Sequence, residues 1–144
     1  MNTEYKYFSK LLHLTSRALR MAIDRRLKYL GLSQASWVAV AAIASAQTPL
    51  SQSELAQYLS VEGATVVTMV DRLVKTGLVQ RVPTLADRRK KLLVVTADGK
   101  ALYEKVRSEA DALGEEILKK VADSDMQVVM RVLAEVYAAT ESLS

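Results

Sequence analysis

The chain has 144 residues, half of them hydrophobic and a quarter charged, with five glycines and two prolines, enough for one ordered, mostly helical domain with its own core. It carries no cysteine, which excludes disulfides, zinc–thiolate centres and thiol-based redox sensing. The formal charge of +4 suits a polyanionic partner without establishing one. The apolar run from Ala35 to Ala46 falls short of the roughly 20 residues a membrane span needs and reads as a buried helix. The first residues lack the basic-then-apolar layout of an export signal, so a cytoplasmic protein is expected.

Phe8, Leu11, Leu12, Thr15, Leu19, Ala22, Ile23, Leu27 and Leu30 recur at three- and four-residue spacing, predicting a first helix that stops at Gly31. Ser33 stands where it can cap a second, apolar helix around Trp37, Val40 and Ile43. Ser51-Gln52-Ser53-Glu54 has capping-box spacing and opens a short third helix whose apolar face is Leu55, Ala56 and Leu59. A fourth helix begins near Gly63-Ala64-Thr65 and runs to Lys75, with Gly77 as a left-handed stop. Two β-type runs follow, Leu78–Val82 and Leu92–Val95, with Asp87-Arg88-Arg89-Lys90-Lys91 between them. Thr96 has the position of a cap for a long fifth helix, with Asp98 in its first turn and a stripe of Leu102, Val106, Ala110, Leu113, Ile117 and Val121. Ser124 and Gln127 repeat the capping-box pattern ahead of a sixth helix carrying Met130, Leu133, Val136, Tyr137 and Leu143.

The predicted fold is mainly α with a small β-hairpin wing, a single domain over 1–144. A winged helix-turn-helix lobe occupies about 33–99. The helices over about 1–32 and 100–144 are not needed for that unit, and their near-heptad stripes suit packing against a second copy as a homodimer. Packing on their own core alone is the other reading.

In the fourth helix Val66, Val67, Val70, Leu73 and Val74 fall on one face, and Thr65, Thr68, Met69 and Arg72 on another. A helix in a DNA major groove needs that division: an apolar back, and a front of short polar groups with one long cation. Gly63 and Ala64 are small enough to bring the helix N-terminus close to a phosphate. An ordinary surface helix shows the same division, and the hairpin decides between them. Arg81, Arg88, Arg89, Lys90 and Lys91 crowd it with only Asp87 opposing, a self-repulsion that an anionic partner relieves. Asp87 can brace Arg89 two residues on, and a braced arginine at a wing tip suits a narrow minor groove. Arg88, Lys90 and Lys91 would meet flanking phosphates. A solvated charge cluster is the alternative for the hairpin taken alone.

One histidine, no cysteine and no paired acids leave no constellation for an enzyme, a metal or a cofactor. His13 lies on or beside the stripe of the first helix, as a core or interface residue, and Trp37 is most simply core. Arg17 and Arg20, beside apolar surface, invite a carboxylate. A protein-interaction module built on the same winged helix, and an architectural protein that binds DNA without reading its sequence, remain open readings.

The residues resemble the MarR family of winged-helix regulators in Ser53-Glu54-Leu55-Ala56, Val70-Asp71-Arg72-Leu73, Thr76-Gly77-Leu78-Val79-Gln80-Arg81, Asp87-Arg88-Arg89 and Val95-Thr96-Ala97-Asp98-Gly99. Asp24-Arg25-Arg26-Leu27-Lys28, Gly31-Leu32-Ser33-Gln34 and Trp37-Val38 resemble its SlyA branch. The resemblance implies a homodimer with intertwined terminal helices on a pseudo-palindromic DNA operator, as repressor or activator, with Arg89 in the minor groove. It implies relief by a small aromatic carboxylate such as salicylate, held in a cleft where Arg17 pairs with the carboxylate and Trp37 stacks on the ring. Thr68 stands where these proteins often carry arginine, which points to a different base preference.

Overall fold

The computed structural model describes residues 3–87 and 89–143, which form two compact units, one up to Ala110 and one from Asp111 onward. Helix α1 spans Thr3–Arg26, two residues after which a single 3₁₀ turn, Lys28–Leu30, closes on Gly31. The first helix therefore ends before Leu27, whose buried side chain enters the core from the turn. Helix α2, Gln34–Ser45, starts at Ser33, whose hydroxyl accepts from the Ser36 N–H at 3.2 Å. Strand β1 is Leu50–Ser51, helix α3 is Gln52–Leu59 and helix α4 is Gly63–Lys75. Strands β2, Val79–Pro83, and β3, Lys91–Val95, lead to helix α5, Ala97–Leu118. Thr96 caps α5 by accepting from the Gly99 N–H at 3.0 Å.

The wing is one strand richer than the predicted hairpin. The antiparallel sheet runs β1-β3-β2, with Leu50 opposite Leu93 on one side of β3 and Arg81 opposite Leu93 on the other. A two-residue strand has no periodicity to read, and only its distant partner reveals it. Lys91, expected in the turn, belongs to β3 opposite Pro83.

Val40, Leu55, Val66, Val70, Leu73, Val79 and Leu93, all essentially inaccessible, join α2, α3, α4 and the sheet in one core. A second cluster of Leu27, Trp37 and Val106, with Ile23 packed against it, joins α1 and the turn after it to α2 and α5. Gly77, at φ 81°, turns the chain from α4 into β2 in a conformation that glycine adopts without strain.

The second unit contains the end of α5 and helix α6, Asp123–Glu141. Ser124 does not cap α6: the N-cap is Ala122, without a side-chain hydrogen bond. The helix starts two residues earlier than the Ser124–Gln127 spacing implied, with Asp123 and Asp125 in the first turn, where negative charge favours the helix dipole. No helix among the described residues is long and apolar enough to cross a membrane.

Candidate nucleic-acid interface

Helix α4 buries Val66, Val70 and Leu73 and exposes Gly63, Ala64, Thr65, Thr68 and Arg72. Met69 departs from its expected place on the exposed front, because it is half-buried against the core, while Val67 and Val74 are exposed. The helical repeat explains the exchange. At about 100° per residue, Met69 lies about 60° from Val66 on the Leu73 side, whereas Val67 lies about 100° away on the other. The Thr68 hydroxyl donates to the Ala64 carbonyl at 3.2 Å, so what it offers outward is acceptor capacity and its methyl group. The helix opens at Glu62 without a side-chain cap, so its first N–H groups are left for an external acceptor.

Between β2 and β3 the wing loop is held by its own hydrogen bonds. The Thr84 N–H donates to the Lys90 carbonyl at 3.2 Å, and the Lys90 N–H to the Asp87 carbonyl at 3.1 Å. The Asp87 carboxylate accepts from the Arg89 backbone N–H at 3.0 Å, but its distance to the Arg89 Nε is 4.0 Å. The aspartate thus holds the backbone by a hydrogen bond and the expected guanidinium only through a long ion pair, since an Asx turn two residues long presents the N–H first. The Arg89 side chain is 98% exposed. Arg89, Lys90 and Lys91 line a groove of about 490 Å³ together with Gln52 and Ser53 at the start of α3 and Val67 on α4. Arg88 lies outside the described residues.

Arg81 has a different task from its neighbours in the basic cluster. Its guanidinium donates to Gln52 Oε1 at 2.7 Å and to Asp71 Oδ1 at 2.5 Å, tying β2 to α3 and α4. Sequence spacing gave no sign of this, because the three residues meet only once the wing folds back on the helices.

The capping box at α3 forms as expected: Glu54 N–H to Ser51 Oγ at 3.2 Å, Ser51 N–H to Glu54 Oε1 at 3.1 Å. The Ser51 N–H, then its hydroxyl, hold the Glu54 carboxyl below the ordinary glutamate range, and Lys90 adds to this. A depressed carboxyl stabilises the fold above the pKa of the unfolded chain and loses that contribution as pH falls through the folded value. Acid below about pH 4 is therefore expected to loosen α3 beside the wing, and Glu54→Gln, which keeps an acceptor without a charge, to remove this part of the pH dependence. Ser51→Ala should cost about 1 kcal/mol in chemical denaturation at neutral pH.

Trp37 is buried, at 7% exposure, and its indole N–H donates to Asp24 Oδ1 at 2.9 Å. Trp37 also borders a cavity of about 510 Å³ whose lining includes Arg20, Tyr58, Tyr103 and Arg107. Arg17 is not on that cavity: it lines a separate depression of about 410 Å³ with His13, Ser16 and Arg20. His13 is exposed there rather than in a core. Arg17 and Arg20 are three residues apart on α1, and the helix turn gives Arg20 to Trp37. The tryptophan's acceptor, Asp24, had no signal beyond its place in an Asp-Arg-Arg run.

Among solved structures, the transcriptional regulator PA3341 is 37% identical to this chain with a TM-score of 0.87, covering 94% of this chain and 99% of its own. Wild-type MarR (apo form) from E. coli is 25% identical, with a TM-score of 0.74 and coverages of 89% and 95%. A putative MarR family transcriptional regulator from Listeria monocytogenes, complexed with a 26mer DNA, has the same fold at 22% identity, with a TM-score of 0.78 and coverages of 90% and 86%. The MarR family profile matches residues 30–90, which span α2, the helix-turn-helix and the wing up to its loop, ending just before β3. With six α-helices and a three-stranded wing among the described residues, and this near full-length likeness, the chain belongs to the MarR family of winged-helix transcriptional regulators.

Proposed function

We propose that the protein is a homodimeric, operator-specific transcriptional regulator, repressor or activator, of the SlyA-like branch, working in the cytoplasm. The observation that carries this reading is the groove where Arg89, Lys90 and Lys91 stand beside α4 and the start of α3. In it α4 enters a major groove: Thr65, Thr68 and Arg72 face base edges, and Gly63 and Ala64 meet a phosphate. Arg89 enters the adjacent minor groove, with Arg88, Lys90 and Lys91 on flanking phosphates. Dimerisation is supported by the apolar side chains left in water on α1, among them Leu11, Leu12, Leu19 and Met21, and on α6, Val128, Val129 and Val136. Two copies would set their recognition helices on half-sites about 10 bp apart.

An aromatic carboxylate effector fits the Trp37 cavity, where Arg20 and Arg107 supply cations and Tyr103 a second ring. Arg17, the cation first expected there, would act from the neighbouring depression. Such a ligand relieves DNA binding only if it binds the DNA-incompetent state more tightly.

Selection from random duplexes at near-physiological salt tests the reading. An enriched palindrome supports an operator-specific regulator, binding without enrichment favours an architectural role, and no binding leaves the protein-interaction module. Salicylate titration should quench or enhance Trp37, the single tryptophan, and weaken the selected complex. If neither changes, the effector reading falls while the DNA reading stands.

A further inference from the structure

Leu85, at the tip of the wing, is 108% exposed, more than any other large hydrophobic residue described. Its exposure is enforced by the turn that carries it. The Thr84 hydroxyl donates to the Asp87 carbonyl at 2.6 Å and accepts from the Asp87 N–H at 2.9 Å, closing a loop with Leu85 and Ala86 at its outer corners. Directly behind, Pro83 pairs with Lys91 at the end of the β2–β3 ladder. Polar residues and glycine usually occupy such corners, because a turn tip has nothing apolar to cover it. A single exposed leucine is unremarkable elsewhere on a surface. This one shares a seven-residue loop, Thr84 to Lys90, with Asp87 and three cations in sequence, and the Arg89 side chain beside it is 98% exposed.

A surface that brings cations to a nucleic-acid backbone also brings their apolar neighbour to what lies between the phosphates. Those parts are the deoxyribose C–H edges that wall the minor groove, against which wing and arm residues of apolar character pack or wedge. We propose that Leu85 is a DNA-contacting residue, packing on the deoxyribose wall of the minor groove beside Arg89. The proposal rests on the DNA-binding reading above and deepens it. The two side chains divide the work by chemistry: Arg89 meets the negative potential of the groove, and Leu85 buries apolar surface on its wall. The charged interaction releases counterions and weakens with salt, whereas the apolar one releases none and persists.

That difference supplies the test. Dissociation constants of wild type, Leu85→Ser, Leu85→Met and Arg89→Ala are measured across a series of KCl concentrations, on the duplex most enriched by selection and on an unselected random-sequence duplex of equal length. Leu85 packs on nothing in the free protein, so Leu85→Ser should fold with an unchanged melting temperature. It is expected to weaken binding about five- to tenfold at every salt concentration, with the salt slope unaltered, and Leu85→Met to restore it. Arg89→Ala is expected to lower the slope by about 0.9 for each phosphate that the variant no longer neutralises. Binding by Leu85→Ser within about twofold of wild type overturns the proposal, and so does a lowered slope, which would mean that the substitution displaces the cations. If Arg89→Ala weakens binding and Leu85→Ser does not, the leucine proposal fails alone and the DNA reading stands. If the wild type binds neither duplex, both fall.

Discussion

Gly99→Ala is expected to destabilise the winged-helix lobe by about 3 kcal/mol or more, lowering the melting temperature by roughly 10 °C. Gly99 lies in the first turn of α5, where its N–H is taken by the Thr96 cap. A Cβ built there would stand 2.1 Å from the Leu78 carbonyl oxygen and 3.1 Å from the Val95 Cβ. No rotamer relieves a clash with backbone, so either α5 or the start of β2 must move. The same carbonyl accepts from the Thr96 N–H at 3.1 Å, and the Thr96 hydroxyl donates to the Gly77 carbonyl at 2.6 Å. A displacement large enough for a methyl group therefore breaks the junction that joins the wing to α5. Thermal unfolding by circular dichroism reads the effect, and a melting temperature within about 2 °C of wild type would show that the junction yields freely.

Arg89→Ala is expected to leave stability unchanged and to weaken operator binding at least about tenfold per wing. Its side chain stands in water, and its ion pair with Asp87, at 4.0 Å and exposed, is too weak for its removal to cost the free protein a measurable amount. Minor-groove readout depends on the local negative potential, so selection with the variant should also lose any preference for narrow, A·T-rich flanks. Asp87 provides the matching control. Its carboxylate holds the Arg89 N–H at 3.0 Å, a bond that an asparagine side chain reproduces. Asp87→Asn should therefore bind like wild type, and Asp87→Ala should weaken binding by loosening the loop. A large loss in Asp87→Asn would mean that the charge on the carboxylate matters after all, as a brace on the guanidinium.

The features legible in the sequence are those closed within a few residues. Ser33, the Ser51–Glu54 box, Thr96 and the left-handed Gly77 all act on neighbours up to four positions away, so residue type and spacing are sufficient. The order of elements and the buried stripe of α4 through Val66, Val70 and Leu73 follow from periodicity in the same way. Asp87 illustrates the boundary. Its partner residue was legible, but whether it grips the backbone or the side chain of Arg89 depends on the conformation of the loop.

Only the tertiary structure decided the relations between segments distant in the chain. Strand β1 exists because Leu50 and Ser51 meet Leu93 and Leu92 some forty residues later. Arg81 belongs to a basic run by sequence, yet it spends its charge on Gln52 and Asp71 because the wing folds back on two helices. Arg20 rather than Arg17 borders the Trp37 cavity, and Gly99 owes its need for a bare Cα to the Leu78 carbonyl. The physical reason is common to all of these. Local hydrogen bonding and periodicity dictate which way a segment's apolar face points, whereas the partner that face or side chain meets depends on how the segments dock, and no residue spacing encodes that angle.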